Sequence, residues 1–147
     1  MSLDLDCASE IEKTFENWRN WTKVNPTPLL SEGHKDRGVA PYVDVYVDDL
    51  AKTTYLAASA PYLECARIIK AKYTDETATK VVRLAIMVKM PAGYDPENND
   101  WWYGRYDATG TQAISQGKMW SDCAYCHRRA SDTDYLLSPN PVIEFPA

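Results

Sequence analysis

The chain has 147 residues, of which 45% are hydrophobic and 25% are charged, which is typical of a globular protein with one core. Its net charge of −5 disfavours nucleic-acid binding. No run of 18 apolar residues occurs, so the sequence predicts no membrane-spanning helix.

The first predicted element is an amphipathic helix over residues 9–22. Ser9 and Glu12 have the spacing of a capping box, which favours a helix start at this point. Apolar side chains then recur every three or four residues, as they do on the buried face of a helix. These apolar positions are Ile11, Phe15, Trp18 and Trp21.

Residues 24–41 predict an irregular loop, because they contain three prolines and two glycines. His34 lies in this loop. A lone histidine in a loop is usually solvated, although its imidazole is also able to bind a metal.

Four of the following segments predict β-strands, and one predicts a short helix. Residues 42–48 alternate valine with tyrosine or aspartate, which is typical of a strand with one buried face. Asp48 or Asp49 caps a helix that we expect to end near residue 59, before Pro61. The other predicted strands are residues 65–73, 80–90 and 101–106, followed by a turn at 107–110.

Gly104 lies in the middle of the last predicted strand. A glycine inside a strand often marks a point where a ligand or another backbone approaches closely. We therefore expect a close approach at this position.

Residues 123–127 read Cys-Ala-Tyr-Cys-His, the pattern of covalent c-type haem attachment. The thiols of Cys123 and Cys126 can each add to a haem vinyl group, and the imidazole of His127 can coordinate the iron. A helix over about 122–130 would place all three side chains on one face. The polar and proline-containing tail, 131–147, is expected to wrap the surface.

Two other interpretations of the motif are weaker. A thioredoxin-type thiol pair expects a βαβ context, which the predicted elements do not provide. A zinc site needs further ligands, and only Cys7, Cys65 and His34 remain. Cys7 and Cys65 are either a disulfide or two unrelated buried thiols, since sequence alone gives no geometry.

The iron is expected to have one protein ligand. Only 20 residues follow His127, and none of them is Met, His or Cys. A second ligand would have to come from upstream, where the candidates are Met87, Met90, Met119, His34 or a lysine. We expect an open or water-filled position instead, which favours small-molecule binding or redox chemistry at the iron.

The strand signals argue against a four-helix bundle of the cytochrome c′ type. They predict one α+β domain over residues 1–147, with an antiparallel sheet of about four or five strands and a few flanking helices. The haem-motif helix would then lie near the C-terminus.

Over about residues 33–138 the chain resembles the cytochrome P-460 family and its cytochrome c′-beta branch. The resemblance implies a β-rich periplasmic protein, commonly a homodimer, with one covalently bound, five-coordinate haem c. Members of the P-460 branch oxidise hydroxylamine or nitric oxide and have a lysine cross-linked to the haem. Members of the c′-beta branch bind nitric oxide in an apolar pocket and lack the cross-link. The matching segments are residues 33–34, 42–47, 68–70, 86–90, 100–107, 123–127 and 134–135.

Lys70 best matches the cross-linking lysine, so the resemblance implies that it binds the cofactor and takes part in catalysis. The family often has a glycine before this strand, and residues 62–66 contain none. The alternative is a lysine that points to solvent, with Lys72 on the same face of the strand.

Arg105 is the best candidate for a polar group beside the bound ligand or the haem propionates. It shares a strand face with Trp101 and Tyr103. Glu64 and Asp107 are weaker candidates for a proton relay.

We therefore expect a periplasmic cytochrome that binds or oxidises small nitrogen oxides, such as hydroxylamine or nitric oxide, and exchanges electrons with a redox partner protein. Whether it is an oxidoreductase or a binding protein remains open. The alternative is a simple electron carrier with a six-coordinate haem. Residues 1–6 are acidic and lack the apolar core of a secretory signal, so we expect the natural export signal to be absent from this chain.

Overall fold

An antiparallel sheet forms the centre of the protein. The computed structural model describes residues 7–30, 40–57, 59–119 and Asp134. Its strands are β1 (Thr22–Lys23), β2 (Leu29–Leu30), β3 (Tyr42–Val47), β4 (Arg67–Tyr73), β5 (Val81–Lys89), β6 (Trp101–Tyr106) and β7 (Ala113–Gly117). The order across the sheet is β1-β3-β4-β5-β6-β7, and β2 pairs with the other end of β3.

The predicted α+β fold class and antiparallel sheet are confirmed. Among the described residues, five strands have five or more residues, and four of these correspond to the predicted segments. The additional strand, β7, was not predicted. The predicted helix at 122–130, His34 and the tail 131–147 lie outside the described residues, apart from Asp134.

Two α-helices flank the sheet in the described part of the chain. Helix α1 (Cys7–Asn17) continues into a 3-10 turn (Trp18–Asn20), so the predicted helix is confirmed. The predicted capping box is wrong, because the helix includes Cys7 and Ser9 therefore lies inside it. Neither α1 nor the second helix has the length and apolar character needed to span a membrane.

The second helix, α2 (Asp49–Leu56), begins as predicted. Asp48 precedes it, and its Oδ1 accepts a hydrogen bond from the backbone N–H of Ala51 at 3.0 Å. The same carboxylate pairs with Arg67 at 2.9 Å, which joins the start of α2 to the start of β4. The cap thus fixes where the chain leaves β3.

The predicted loop at 24–41 contains a more ordered start than we expected. The side chain of Asn25 is buried and lies between the two short strands that pair with β3. Its Nδ2 donates to Asp44 Oδ1 at 2.9 Å, and its Oδ1 accepts from the backbone N–H of Val45 at 2.6 Å. One amide side chain therefore replaces part of the strand pairing along β3.

The sheet has two buried faces of different composition. The α1 face packs against α1, and its buried strand residues are Ile69, Ala71, Tyr73, Leu84, Ile86, Val88, Trp102 and Tyr106. The α2 face packs against α2, and its buried strand residues are Val45, Val47, Ile68, Met87, Trp101 and Tyr103. Alternation along each strand sends neighbouring residues to opposite faces.

The expectation that β3 buries only one face is wrong. Asp44 lies on the other face of the strand from the valines, and it is nevertheless only 2% exposed. Tyr46, on the same side as Asp44, is half-buried and meets the ring of Trp18 edge-on, with 5.0 Å between ring centroids. The 3-10 turn after α1 thus covers the side of β3 that we expected to face solvent.

The groups that approach Gly104 closely are aromatic side chains, and not a ligand or another backbone as we expected. A Cβ atom at this position would lie 2.7 Å from the Trp102 side chain and 2.8 Å from that of Tyr106. Both are aromatic neighbours on the α1 face of the same strand, so the glycine makes room for their rings.

Cys7 and Cys65 form a disulfide, with 5.0 Å between their Cα atoms. The bond joins α1 to the segment that leads into β4, and both cysteines belong to the core of the α1 face. It resolves the alternative that the sequence left open. It also removes both thiols from the set of zinc ligands that the sequence offered.

We predict that loss of this disulfide lowers the free energy of unfolding by roughly 2–5 kcal/mol, because the bond restricts the unfolded chain. Denaturant unfolding with and without a reductant measures the change. The double variant Cys7→Ser/Cys65→Ser should show the lower stability and no response to the reductant. Equal midpoints for the oxidised, reduced and double-variant proteins would contradict the prediction.

Candidate functional site

The register of the sheet brings Lys70 and Arg105 to the same face. Lys70 pairs with Ala85 of β5, and Ala85 pairs with Arg105 of β6. Residues aligned across neighbouring strands share a face, so the backbones of Lys70 and Arg105 lie two strand spacings apart, about 9.5 Å. Both side chains are half-buried and lie on the α2 face.

Ala85 stands between these two basic residues. Its side chain is a single methyl group, and the residue is 9% exposed. A small residue between two long side chains leaves room for a flat group to lie across the strand. Ala85 is therefore the least bulky of the three residues in this row.

Two further basic residues lie on the same face, two residues farther along β4 and β5. Lys72 follows Lys70 on β4 and pairs with Arg83 of β5. Lys72 is only 1% exposed, so the interpretation of these strand lysines as solvent-facing is wrong for Lys72. Lys70, Lys72, Arg83 and Arg105 together form what we name the basic patch.

The other end of the α2 face is apolar. Trp101 and Tyr103 precede Arg105 on β6, and Met87 of β5 pairs with Tyr103. All three are buried in one cluster with residues of α2. Trp101 and Arg105 are four residues apart on β6, so about 13 Å separates these two residues along the strand.

Asp134 ties the C-terminal part of the chain to this apolar end. It is 3% exposed, and its carboxylate pairs with Lys89 at 2.7 Å. It also accepts hydrogen bonds from the backbone N–H of Tyr62 at 2.8 Å and from Asn99 Nδ2 at 3.0 Å. The indole N–H of Trp101 donates to the backbone oxygen of Asp134 at 2.9 Å.

Met119 marks the other end of the same C-terminal segment. It packs against the α2-face cluster. Met119 and Asp134, the described residues on either side of 120–133, thus both lie against the α2 face. This segment contains Cys123, Cys126 and His127, which lie outside the described residues.

Tyr62 supplies a buried polar atom on the same face. The residue is 4% exposed, and its ring meets the ring of Trp101 edge-on with 5.5 Å between centroids. Its hydroxyl oxygen is buried and, among the residues that the structure describes, has no hydrogen-bond partner. Burial raises the pKa of this phenol, so the group stays protonated and remains a donor.

The remaining candidate residues lie elsewhere or have other roles. Met90 packs with the α1-face core, on the opposite side of the sheet from Lys70. Glu64 is exposed. The Asp107 carboxylate accepts from the backbone N–H of Thr111 at 2.9 Å and so holds the predicted turn before β7. Neither carboxylate is brought together with Lys70 and Arg105 in the sheet register.

The polarity of the α2 face fits a haem. A haem has an apolar ring and two negatively charged propionates, and the face has an apolar end and a basic patch. The buried hydroxyl of Tyr62 also lacks the partner that buried polar groups normally have in the described part of the structure. The α1 face is already filled by α1 and its disulfide.

Sequence reasoning gave no role to Asp134, Lys89 or Tyr62. Asp134 appeared in the resemblance only as part of a matching segment. No local pattern marks a buried ion pair between residues 45 positions apart, so only the fold reveals it.

A comparison with models of protein families matches residues 15–138 to the family described as Cytochrome P460. The matched range includes β1 to β7 and the Cys-x-x-Cys-His motif. No curated protein matches the chain.

We predict that Asp134→Ala lowers the free energy of unfolding by about 3–5 kcal/mol, because it leaves the charge of Lys89 without its buried partner. Urea unfolding measures the loss. Asp75→Ala is the control, since Asp75 is an exposed turn residue, and it should lower the stability far less than Asp134→Ala. Equal losses in the two variants would show that the Asp134 contacts do not hold the chain.

Proposed function

The chain belongs to the cytochrome P460 family, which makes it a haem cytochrome, and from this premise we propose that it is an exported c-type cytochrome acting on small nitrogen oxides such as hydroxylamine or nitric oxide. The observation that carries the proposal is the placement of Met119 and Asp134 against one amphipathic sheet face. The haem motif lies between these two residues in the chain. When bound, the haem iron supplies a coordination site for a small ligand and exchanges electrons with it.

Cys123 and Cys126 hold the haem through two thioether bonds in this proposal, and His127 is the iron ligand. Chain length supports this arrangement. His127 is eight residues after Met119 and seven before Asp134, and an extended chain covers at most about 3.6 Å per residue. The motif is therefore within chain reach, from both sides, of the face that carries Lys70 and Arg105.

The basic patch orients the cofactor. Haem propionates are anions, and lysine and arginine side chains in a partly buried setting bind them more strongly than in water. Arg105 donates to Ser115 Oγ at 3.5 Å, a long contact. We assign Arg105 either to a propionate or to the ligand on the iron.

Lys70 contacts the porphyrin edge in the proposed arrangement. Its neighbour across the sheet is Ala85, which has only a methyl side chain. A bond between the lysine nitrogen and a porphyrin carbon would replace a C–H bond and release two protons and two electrons, so it would require a neutral amine and an oxidant such as a peroxide. Formation of such a bond would place the protein in the branch that oxidises hydroxylamine, and its absence in the gas-binding branch.

An exported protein agrees with the disulfide between Cys7 and Cys65, because such bonds persist in oxidising compartments. Attachment of a c-type haem also takes place outside the bacterial cytoplasm. We therefore propose the periplasm as the location. A homodimer and a redox partner protein complete the proposal, on the basis of the family.

One observation favours a second candidate function. Met119 packs against the α2-face cluster and so lies on the same side of the sheet as Lys70. If its thioether reached the iron, the haem would be six-coordinate and the protein a simple electron carrier. Met87 is a weaker candidate, since it is 7% exposed and packed within the same cluster.

We predict that the protein produced in the periplasm retains its haem after denaturation and solvent extraction. The variant Cys123→Ala/Cys126→Ala in a Lys70→Met background should lose it, because neither the thioether bonds nor a lysine bond can form. Absorbance of the extracted chain measures the retained haem. The control is Cys7→Ser/Cys65→Ser, which should keep its haem, since these thiols bond to each other. Haem that survives extraction from the Cys123/Cys126 variant would contradict the assignment.

We predict that a proteolytic peptide containing Lys70 remains joined to the haem peptide in the wild-type protein. Mass spectrometry of the digest detects the joined species, and Lys70→Met should abolish it. Lys72→Met is a matched control, because Lys72 lies on the same strand face two residues away. An unmodified Lys70 peptide from the wild-type protein would rule out the cross-link.

A further inference from the structure

The hydroxyl of Tyr62 is a buried donor that the fold itself does not use, as far as the described residues show. A hydroxyl removed from water without a new hydrogen bond destabilises the protein, so such groups are uncommon in native structures. The residue is only 4% exposed, which leaves solvent little access to the group. A phenylalanine would pack equally well at this position, so packing alone does not explain the hydroxyl.

The backbone and ring of Tyr62 are both held in place. The backbone N–H donates to Asp134 Oδ2 at 2.8 Å, and the ring packs edge-on against Trp101. Trp101 is itself fixed by its indole hydrogen bond to Asp134. The hydroxyl is thus presented from a rigid support and has little freedom to turn towards water.

The position of Tyr62 on the α2 face indicates what its hydroxyl donates to. Tyr62 lies at the apolar end, in the same cluster as Met87, Trp101 and Tyr103. The basic patch that suits the propionates begins with Lys70 and Arg105, about 13 Å along β6 from Trp101. If the propionates bind at the basic patch, the group that remains to accept a hydrogen bond from Tyr62 at the apolar end is a ligand bound to the iron.

We propose that the Tyr62 hydroxyl donates a hydrogen bond to the small ligand on the haem iron. The inference rests on the proposed function and adds a residue that selects the ligand. Ligands with a lone pair on the atoms beyond the iron, such as nitric oxide or hydroxylamine, accept this bond. In an otherwise apolar setting one hydrogen bond discriminates strongly between ligands that can accept it and those that cannot.

The test uses carbon monoxide as the probe on the reduced, haem-loaded protein. Tyr62→Phe removes only the hydroxyl, so the fold is expected to persist. Without the donor, less electron density moves onto the ligand, so the C–O stretching frequency should rise. Carbon monoxide should also dissociate about fivefold faster, the effect expected for loss of one ordinary hydrogen bond.

Tyr106→Phe is the control. Tyr106 is buried on the opposite, α1 face, where its hydroxyl donates to Gln116 Oε1 at 2.8 Å, so its substitution also removes one tyrosine hydroxyl but not one on the proposed haem face. Its carbonyl spectrum and dissociation rate should equal those of the wild type. Equal values in Tyr62→Phe and the wild type, or equal shifts in the two variants, would overturn the inference while the proposed function stands. A wild-type protein without haem would overturn both.

Discussion

The alternation of side chains along β4, β5 and β6 is the constraint on which the rest of the site depends. It sends Ile69, Ile86 and Trp102 to the α1 face, where α1 and its disulfide cover them. The same alternation leaves Lys70, Ala85 and Arg105 side by side on the α2 face. A shift of one residue in the register of β5 would move Ala85 to the opposite face and separate the site from its apolar end.

The second requirement is that the C-terminal segment returns to this face. Asp134 provides it, because one buried carboxylate accepts hydrogen bonds from a lysine, an asparagine and a backbone N–H. Burial of an ion pair adds little stability by itself, but loss of one partner leaves a costly charge, so the pair favours one arrangement of the chain. The carboxylate thereby joins Asp134 to Lys89 of β5 and to Asn99, which lies just before β6. Its hydrogen bond from the backbone N–H of Tyr62 also joins it to the segment that precedes β4.

Much of the fold could be predicted from the sequence, since β3, β5 and β6 have strong local patterns and Asp48 is a clear helix cap. Strand β7, Ala-Ile-Ser-Gln-Gly, has no such pattern, because it lies at the edge of the sheet and is largely exposed. The sequence also indicated Lys70 and Arg105 but not their alignment through Ala85, because register depends on turns and on packing between distant segments. Asp134, Lys89 and Tyr62 act through contacts between residues far apart in sequence, and no local signal reports those.

The central claim is that the haem lies on the α2 face, with its propionates at the basic patch and its iron towards the apolar end. The most direct test is the anomalous scattering of iron in a crystal of the exported, haem-loaded protein. The account predicts one iron peak on the α2 face, within reach of His127 and between the basic patch and Tyr62. A peak on the α1 face, or away from the sheet, would contradict it.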